Sequence, residues 1–211
     1  MHTPKRIHQY LKDGESDVLD YKQAITSAAK IAKSMVAFAN TKGGVLLIGV
    51  KDDRKICGVR SEDEKYMLDL SARFYCKPEI FIEIKEWELE GKLILECLVP
   101  KGPDQPYYAK SDENNKWWAY IRVKDQSLLA SKIVVDVLKR AQSDRGTLIQ
   151  YSSKEQVILD YLIYNPRITL DEYRKMVNIS RQRASKILVN LISAGLIHAH
   201  TTEKKEFYTL A

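Results

Sequence analysis

The stretch from Phe38 to Asp53, FANTKGGVLLIGVKDD, combines residues suited to binding phosphate with residues suited to binding metal. Glycine-rich turns beside a lysine, as in Lys42-Gly43-Gly44, often bind phosphate through backbone N–H groups. Adjacent aspartates after an apolar run, as at Asp52 and Asp53, supply the oxygen ligands that divalent metals prefer. Three interpretations are open: a nucleotide-binding loop, a metal site, or a tight turn in a nucleic-acid-binding scaffold.

The order of the elements around the glycines argues against the nucleotide-binding loop. The run before Gly43 has the periodicity of an amphipathic helix, and Val45–Val50 is a continuous apolar strand. A phosphate-binding loop needs G-x-x-x-x-G-K-[ST] after a strand and before a helix, whereas the order here is helix, glycines, strand. No G-x-G-x-x-G occurs either. We therefore expect the glycines to reverse the chain and to deliver the two aspartates to one edge of a sheet.

A second group of functional residue types lies near the carboxyl end, in SRQRASKILVNLISAGL. Its first residues are basic or polar with no acid among them, and its later residues have the apolar stripe of a packed helix. Arginine can bind guanine, and glutamine adenine, through two hydrogen bonds each, while serine and lysine suit phosphate. The predicted DNA contacts are Arg181, Gln182, Arg183, Ser185 and Lys186, with Lys204 and Lys205 further on.

The elements around this cluster follow the order of a winged helix-turn-helix. Three helix patterns, at about 154–164, 169–177 and 180–194, precede two alternating strands at 196–200 and 206–210. In that motif the second of the two motif helices enters the major groove with its N-terminal residues on the base edges. The ending LISAGLIHAHTTEKKEFYTL resembles winged-helix transcription regulators, with the two lysines at the wing tip. The alternative is the same fold used for protein docking or dimerisation.

Composition limits the class of protein. The 211 residues carry a formal net charge of +6, which permits a polyanionic partner. The three cysteines are far apart, so we expect neither a disulfide framework nor a Cys-x-x-Cys zinc site. No apolar run approaches the ~20 residues that span a bilayer, and the N-terminus has no signal-peptide core. These features predict a cytoplasmic protein with no membrane partner.

The remaining patterns predict a larger N-terminal domain that ends in a helix near Ala141, followed by a polar linker. The predicted helices are 7–12, 26–41, 61–75 and 131–141, and the predicted strands are 18–22, 45–50, 56–59, 80–84, 93–99 and 118–123.

Several of these motifs occur together in a known family. ESDVLDYKQ followed by AFANTKGGVLLIGVKDDRKICGV, and later QPYYAK and WAYIRVKDQSLLAS, resemble the Schlafen-type Alba-like (AlbA-2) domain over about Glu15 to Ser131. The resemblance implies an α/β (α+β) domain whose mixed sheet is packed by helices. Bacterial members often carry a C-terminal winged helix and are described as DNA-binding proteins or transcriptional regulators.

The resemblance also implies an alternative activity. Vertebrate relatives include endoribonucleases that cleave tRNA and rRNA, and their three carboxylates match Glu15, Asp20 and Asp52, with Asp53 as an alternative to Asp52. Such a triad would bind Mg²⁺ or Mn²⁺ and use it to activate water. Because residues five apart point to opposite sides of a regular strand, the first two acids converge only if the chain bends between them. The family's zinc-binding Cys/His cluster is not found.

We therefore predict a Schlafen-type domain at 1–142, a linker at 143–150 and a winged helix at 151–211. The predicted function is a transcriptional regulator that binds duplex DNA without a cofactor, with RNA as a further possible partner. The alternatives are a metal-dependent endoribonuclease and a protein-interaction scaffold. We also predict a homodimer, with the aromatic-rich segment Tyr107–Tyr120 as a candidate interface.

Overall fold

The computed structural model describes residues 5–142 and 152–211, and the chain divides into two compact units, Met1–Leu129 and Ala130–Ala211. The predicted linker at 143–150 lies outside the described residues. Among the helices that are described, none is both long and apolar enough to cross a membrane.

The first unit contains three helices and nine strands within its described residues, and its central feature is a mixed four-stranded sheet. The helices are α1 (Lys5–Asp13), α2 (Ala28–Ala39) and α3 (Ser61–Phe74); the strands are β1 (Leu19–Lys22), β2 (Gly44–Ile48), β3 (Cys76–Lys77), β4 (Glu83–Leu89), β5 (Lys92–Val99), β6 (Tyr108–Lys110), β7 (Trp117–Trp118), β8 (Tyr120–Val123) and β9 (Gln126–Leu129). The sheet order is β1-β2-β5-β4, with β1 parallel to β2 and the other pairs antiparallel. Two smaller sheets pair β3-β6-β7 and β8-β9.

Strand β2 is buried on both faces of this sheet, as its unbroken apolar run predicts. Leu46 and Ile48 join the core beneath α2 and α3, whereas Val45 and Leu47 join a second core on the opposite face. Helix α2 begins after Ser27, whose side chain accepts a hydrogen bond from the Lys30 N–H. The helix is buried along most of its length and connects β1 to its parallel neighbour β2.

Close packing requires the two glycines at the corner from α2 into β2, where Gly43 precedes the strand and Gly44 is its first residue. Gly43 has a φ of 77°, and a Cβ there would lie 2.7 Å from the backbone nitrogen of Lys101. A Cβ on Gly44 would lie 2.6 Å from the Phe38 ring. The Lys42-Gly43-Gly44 segment is therefore a tight turn from helix to strand, which agrees with the interpretation of these glycines as a turn.

The second unit consists of four helices and an antiparallel hairpin among its described residues. These are α4 (Lys132–Ala141), α5 (Ser153–Tyr164), α6 (Leu170–Met176), α7 (Arg181–Ser193), β10 (Ile197–Thr201) and β11 (Glu206–Leu210). Side chains of Ser152, Thr169 and Ser180 cap α5, α6 and α7, which fixes where each helix begins. The predicted order of three helices and a hairpin is present.

Helix α4 departs from the predicted domain boundary. We expected it to close the first domain at residue 142, but it belongs to the second unit, which begins at Ala130. Its apolar side chains Ile133 and Val137 join the same core as Leu188 and Val189 of α7. Amphipathic periodicity shows that one face of a helix is buried, but it does not show which neighbour buries it.

Several short strands also differ from the prediction. The expected return strand at 56–59 is reduced to one bridge between Val50 and Ile56. The strand expected at 80–84 lies at Glu83–Leu89 instead, paired along its length with β5.

Candidate nucleic-acid interface

A groove of about 1430 Å³ runs over the surface of the second unit, between α4, the first half of α7 and the hairpin. All seven residues that the sequence predicts to contact DNA line it. They are Arg181, Gln182, Arg183, Ser185, Lys186, Lys204 and Lys205. A patch predicted from two separate segments is thus one continuous surface.

The local sequence explains why α7 presents these side chains. Ser180 accepts a hydrogen bond from the Arg183 N–H at 3.2 Å, so the helix starts at Arg181. The apolar stripe beginning at Ala184 and continuing through Leu188 and Leu191 packs into the core of the unit. The polar residues of the first two turns consequently remain on the groove side, mostly exposed.

The hairpin forms the second side of the groove. Tyr208 of β11 is fully buried, and its backbone exchanges hydrogen bonds with Ile168 ahead of α6. The turn is held by Thr202, whose hydroxyl donates to the Lys205 carbonyl at 2.8 Å. These contacts hold Lys204 and Lys205, which are both exposed, at the rim of the groove.

The lining of the groove is basic. It contains eight lysines and arginines against three acids, a formal excess of +5, which nearly equals the +6 of the whole chain. One of the acids, Asp171 of α6, accepts hydrogen bonds from Arg174 at 2.8 Å and from Arg181 at 2.9 Å. The bond to Arg174, supported by Arg181, lowers the pKa of Asp171 below its usual value. Arg181 is therefore held by an acid within the groove.

Helix α4 supplies groove residues that the sequence analysis missed. Lys132, Lys139 and Arg140 line the groove, and the Arg140 Nη1 donates to Asn190 Oδ1 at 2.6 Å. The sequence pattern that could have identified them is the group of basic residues on the amphipathic helix α4, but the predicted domain boundary placed that helix in the first domain. Only its packing on α7 places these cations beside the predicted DNA contacts.

The acids of the first unit form a different kind of site. Glu15 lies in bends before β1, so the chain turns as convergence with Asp20 requires, and the two carboxyl groups interact. Glu15 accepts from the Tyr21 N–H at 2.9 Å. Asp20 is buried and accepts from Ser34 at 3.1 Å.

Two cations already neutralise Asp20. Lys22 lies 2.6 Å away and Arg122 3.2 Å away, the latter with a side chain only 2% exposed. Burial would raise the pKa of Asp20, but these cations outweigh it, so its pKa lies below the usual value. Burial, foremost, raises the pKa of Glu15, and the neighbouring Asp20 adds to the effect. Asp20 is therefore the acid of a buried ion pair with Lys22 and Arg122.

The third predicted acid is not brought to this pair. Asp52 and Asp53 lie in an exposed turn beyond β2, where Asp53 pairs with Lys55 at 2.8 Å. Across residues 5–142 and 152–211, no three His, Cys, Asp or Glu side chains gather as a metal-binding group. The residues predicted to hold Mg²⁺ or Mn²⁺ therefore do not fit that role together.

The family model described as "Schlafen, AlbA_2" matches residues 15–131, more than half of the chain. The chain belongs to the Schlafen AlbA_2 family. The match covers the range over which the motifs of the first unit resemble that family, and it ends just before α4. The groove lies wholly in the second unit, and the matched segment contributes only Ser131 to its lining.

A PCI domain model matches residues 147–207, so the second unit is similar to that domain. Among solved structures, the DIP2311 protein from Corynebacterium diphtheriae is similar at 21% identity and a TM-score of 0.46, covering 65% of this chain. The chain spans only 30% of that protein's length. The N-terminal domain of a RecG-related protein from Nitrosomonas europaea is similar at 20% identity and a TM-score of 0.43, covering 72% of this chain and 97% of that domain. No curated protein matches.

Proposed function

We propose that this protein binds duplex DNA through the groove of its second unit and acts as a transcriptional regulator. The observation that carries the proposal is that seven polar and basic residues, predicted from two separate segments, line one groove with a charge excess of +5. Membership of the Schlafen AlbA_2 family supports a nucleic-acid-related role for the chain as a whole.

The proposed mode of binding is that of a winged helix-turn-helix. Helix α6 and helix α7 form the motif, and β10–β11 form the wing. The N-terminal turn of α7 enters the major groove, where Arg181 and Arg183 address guanine and Gln182 addresses adenine. Lys204 and Lys205 lie at the wing tip and bind phosphates, which contributes affinity for every sequence alike.

The test is a fluorescence-anisotropy titration of labelled duplex DNA with the full chain at several salt concentrations. We expect the logarithm of the binding constant to fall linearly with the logarithm of the salt concentration, because phosphate contacts release counterions. Replacing Arg181 and Arg183 by alanine should cost about 1–3 kcal/mol per lost base contact on a preferred site. A matched control, Lys101→Ala/Lys175→Ala, removes the same charge from exposed lysines outside the groove and should bind like wild type.

Two outcomes would contradict the proposal. One is the absence of salt-dependent binding by the wild-type chain. The other is an equal loss of affinity in the arginine double variant and in the control, because net charge alone would then explain the binding. A labelled RNA hairpin in the same titration distinguishes duplex DNA from RNA as the preferred partner.

The alternative function, a metal-dependent endoribonuclease, gains no support from the geometry. Asp20 is bound by Lys22 and Arg122, and Asp52 lies in an exposed turn. A catalytic role for these acids stays a prediction. Incubation of tRNA with the protein and Mn²⁺, with Asp52→Ala beside the wild type, would test it.

A further inference from the structure

Helix α4 is fixed beside the helix that we propose as the DNA reader. Ile133 and Val137 of α4 pack into the core that includes Val189 of α7. The guanidinium of Arg140 donates to Asn190 of α7 at 2.6 Å. The two helices are therefore held together by an apolar contact and a hydrogen bond.

The face of α4 beside this packed face carries two lysines that line the groove. Lys132 and Lys139 are exposed, and within the described residues neither takes part in an ion pair. They are seven residues apart, or about 10 Å along the helix axis at 1.5 Å per residue. That spacing is large enough for the two ammonium groups to reach different phosphates. Asp136 lies between them and also lines the groove.

The dimensions of B-DNA decide what α4 can contact. The major groove is about 12 Å wide, which admits one helix with its side chains. Packed helices have axes about 8–10 Å apart, so α4 cannot enter the same groove beside α7. A helix displaced by that distance from the groove centre lies over the sugar–phosphate backbone at the groove edge. The cations of α4 then meet phosphates and not bases.

We infer that α4 is a phosphate-binding arm of the DNA interface, in which Lys132 and Lys139 each bind one phosphate that borders the major groove. The inference rests on the proposed function, and it assigns α4 the sequence-independent part of the affinity. Base readout stays with α7. The third basic residue of the arm, Arg140, positions α4 on α7 through Asn190.

The test compares Lys132→Ala/Lys139→Ala with wild type on two short duplexes of unrelated sequence, between about 50 and 200 mM KCl. The slope of log affinity against log salt should fall in magnitude by about 1.8, since each lost phosphate contact removes about 0.9. The loss of affinity relative to wild type should be the same on both duplexes. Asp136→Asn, which removes the acid between the lysines, should strengthen binding to both.

The outcomes separate this inference from the proposed function. If the wild type binds and the arginines of α7 matter, but the α4 lysine variant keeps the wild-type slope, the arm is overturned. An increase in affinity in that variant would also overturn it, because α4 would then be a cover over the groove. If the wild type does not bind duplex DNA at all, the proposed function itself fails. The Lys101→Ala/Lys175→Ala variant again controls for net charge.

Discussion

Arg122→Leu should destabilise the first unit strongly, because the arginine is the buried partner of Asp20. Its guanidinium donates to Asp20 at 3.2 Å and to the carbonyls of Ser16 and Leu19 at 3.1 Å each. The Arg122 and Asp20 side chains are 2% and 5% exposed. Leucine fills part of the volume but donates nothing, so the buried Asp20 carboxylate loses one of its donors and the Ser16 carbonyl loses the arginine N–H.

The size of the effect follows from which partners remain. Removing one member of a buried ion pair costs about 3–5 kcal/mol, because the other charge is left uncompensated. Lys22 still lies 2.6 Å from Asp20, and the Ser16 N–H still donates to the Leu19 carbonyl. We therefore expect about 3 kcal/mol. With a urea m-value of about 2 kcal/mol/M, the unfolding midpoint should fall by about 1.5 M.

Tryptophan fluorescence makes the measurement specific to this unit. All three tryptophans, Trp87, Trp117 and Trp118, belong to Met1–Leu129, so the emission follows unfolding of the first unit alone. The control is Lys42→Ala, which breaks the exposed pair with Asp17 and should cost no more than about 1 kcal/mol. A midpoint for Arg122→Leu that matches this control would refute the reasoning.

The pH dependence gives an independent check on the same pair. The pKa of Asp20 is lower in the folded protein than its ordinary value of 3.8. A group with a depressed pKa contributes stability above its unfolded pKa, and that contribution is lost as pH falls through the folded value. The difference between wild type and Arg122→Leu should therefore be complete at pH 7 and should narrow below about pH 4.

Three further predictions follow. Glu15→Gln keeps an acceptor for the Tyr21 N–H and removes a carboxylate whose pKa is raised by burial. Urea unfolding should therefore show that the variant is more stable than wild type at pH 7 and no more stable below the ordinary pKa of 4.5. Lower stability of the variant at pH 7 would contradict this. Asp171→Asn should release Arg181 into the groove and raise DNA affinity severalfold in the anisotropy assay, whereas unchanged affinity would show that the pair does not restrain the arginine. We also propose the homodimer, with the 38%-exposed Trp118 at its interface, so light scattering should give twice the 24.3 kDa chain mass, and a species of 24.3 kDa would reject it.

The sequence predicted those features that depend on local periodicity. Helix α2, the doubly buried strand β2 and the order of helices and hairpin in the second unit all follow from the spacing of apolar residues and from caps such as Ser180. The short strands β6, β7 and β9 were not predicted separately, because two to four residues are too few for a period to be recognised. Their pairing comes from contacts distant in sequence.

For the candidate site, the sequence indicated which exposed side chains of α7 share one face, and their contact with DNA stays a prediction. The acid-free start of α7 identifies its own exposed face, and the groove lining includes every residue chosen on that ground. The partner of Asp20 was not predictable, since Arg122 is 102 positions away in the sequence.

Composition also does not show which residues of the aromatic segment Tyr107–Tyr120 are buried. Tyr107 is 4% exposed within the core, whereas Trp117 and Trp118 are each 38% exposed.

The attachment of α4 to the second unit determines where the chain can be divided. A fragment that ends at residue 142 would retain α4 without α7, leaving the side chains of Ile133 and Val137 in water. The complementary fragment would expose Val189, which is 3% exposed in the full chain. Both pieces would tend to aggregate, since each would display an uncovered apolar patch. Cleavage between Leu129 and Ala130 leaves each hydrophobic core whole, so that bond is the place to separate the two units for independent expression.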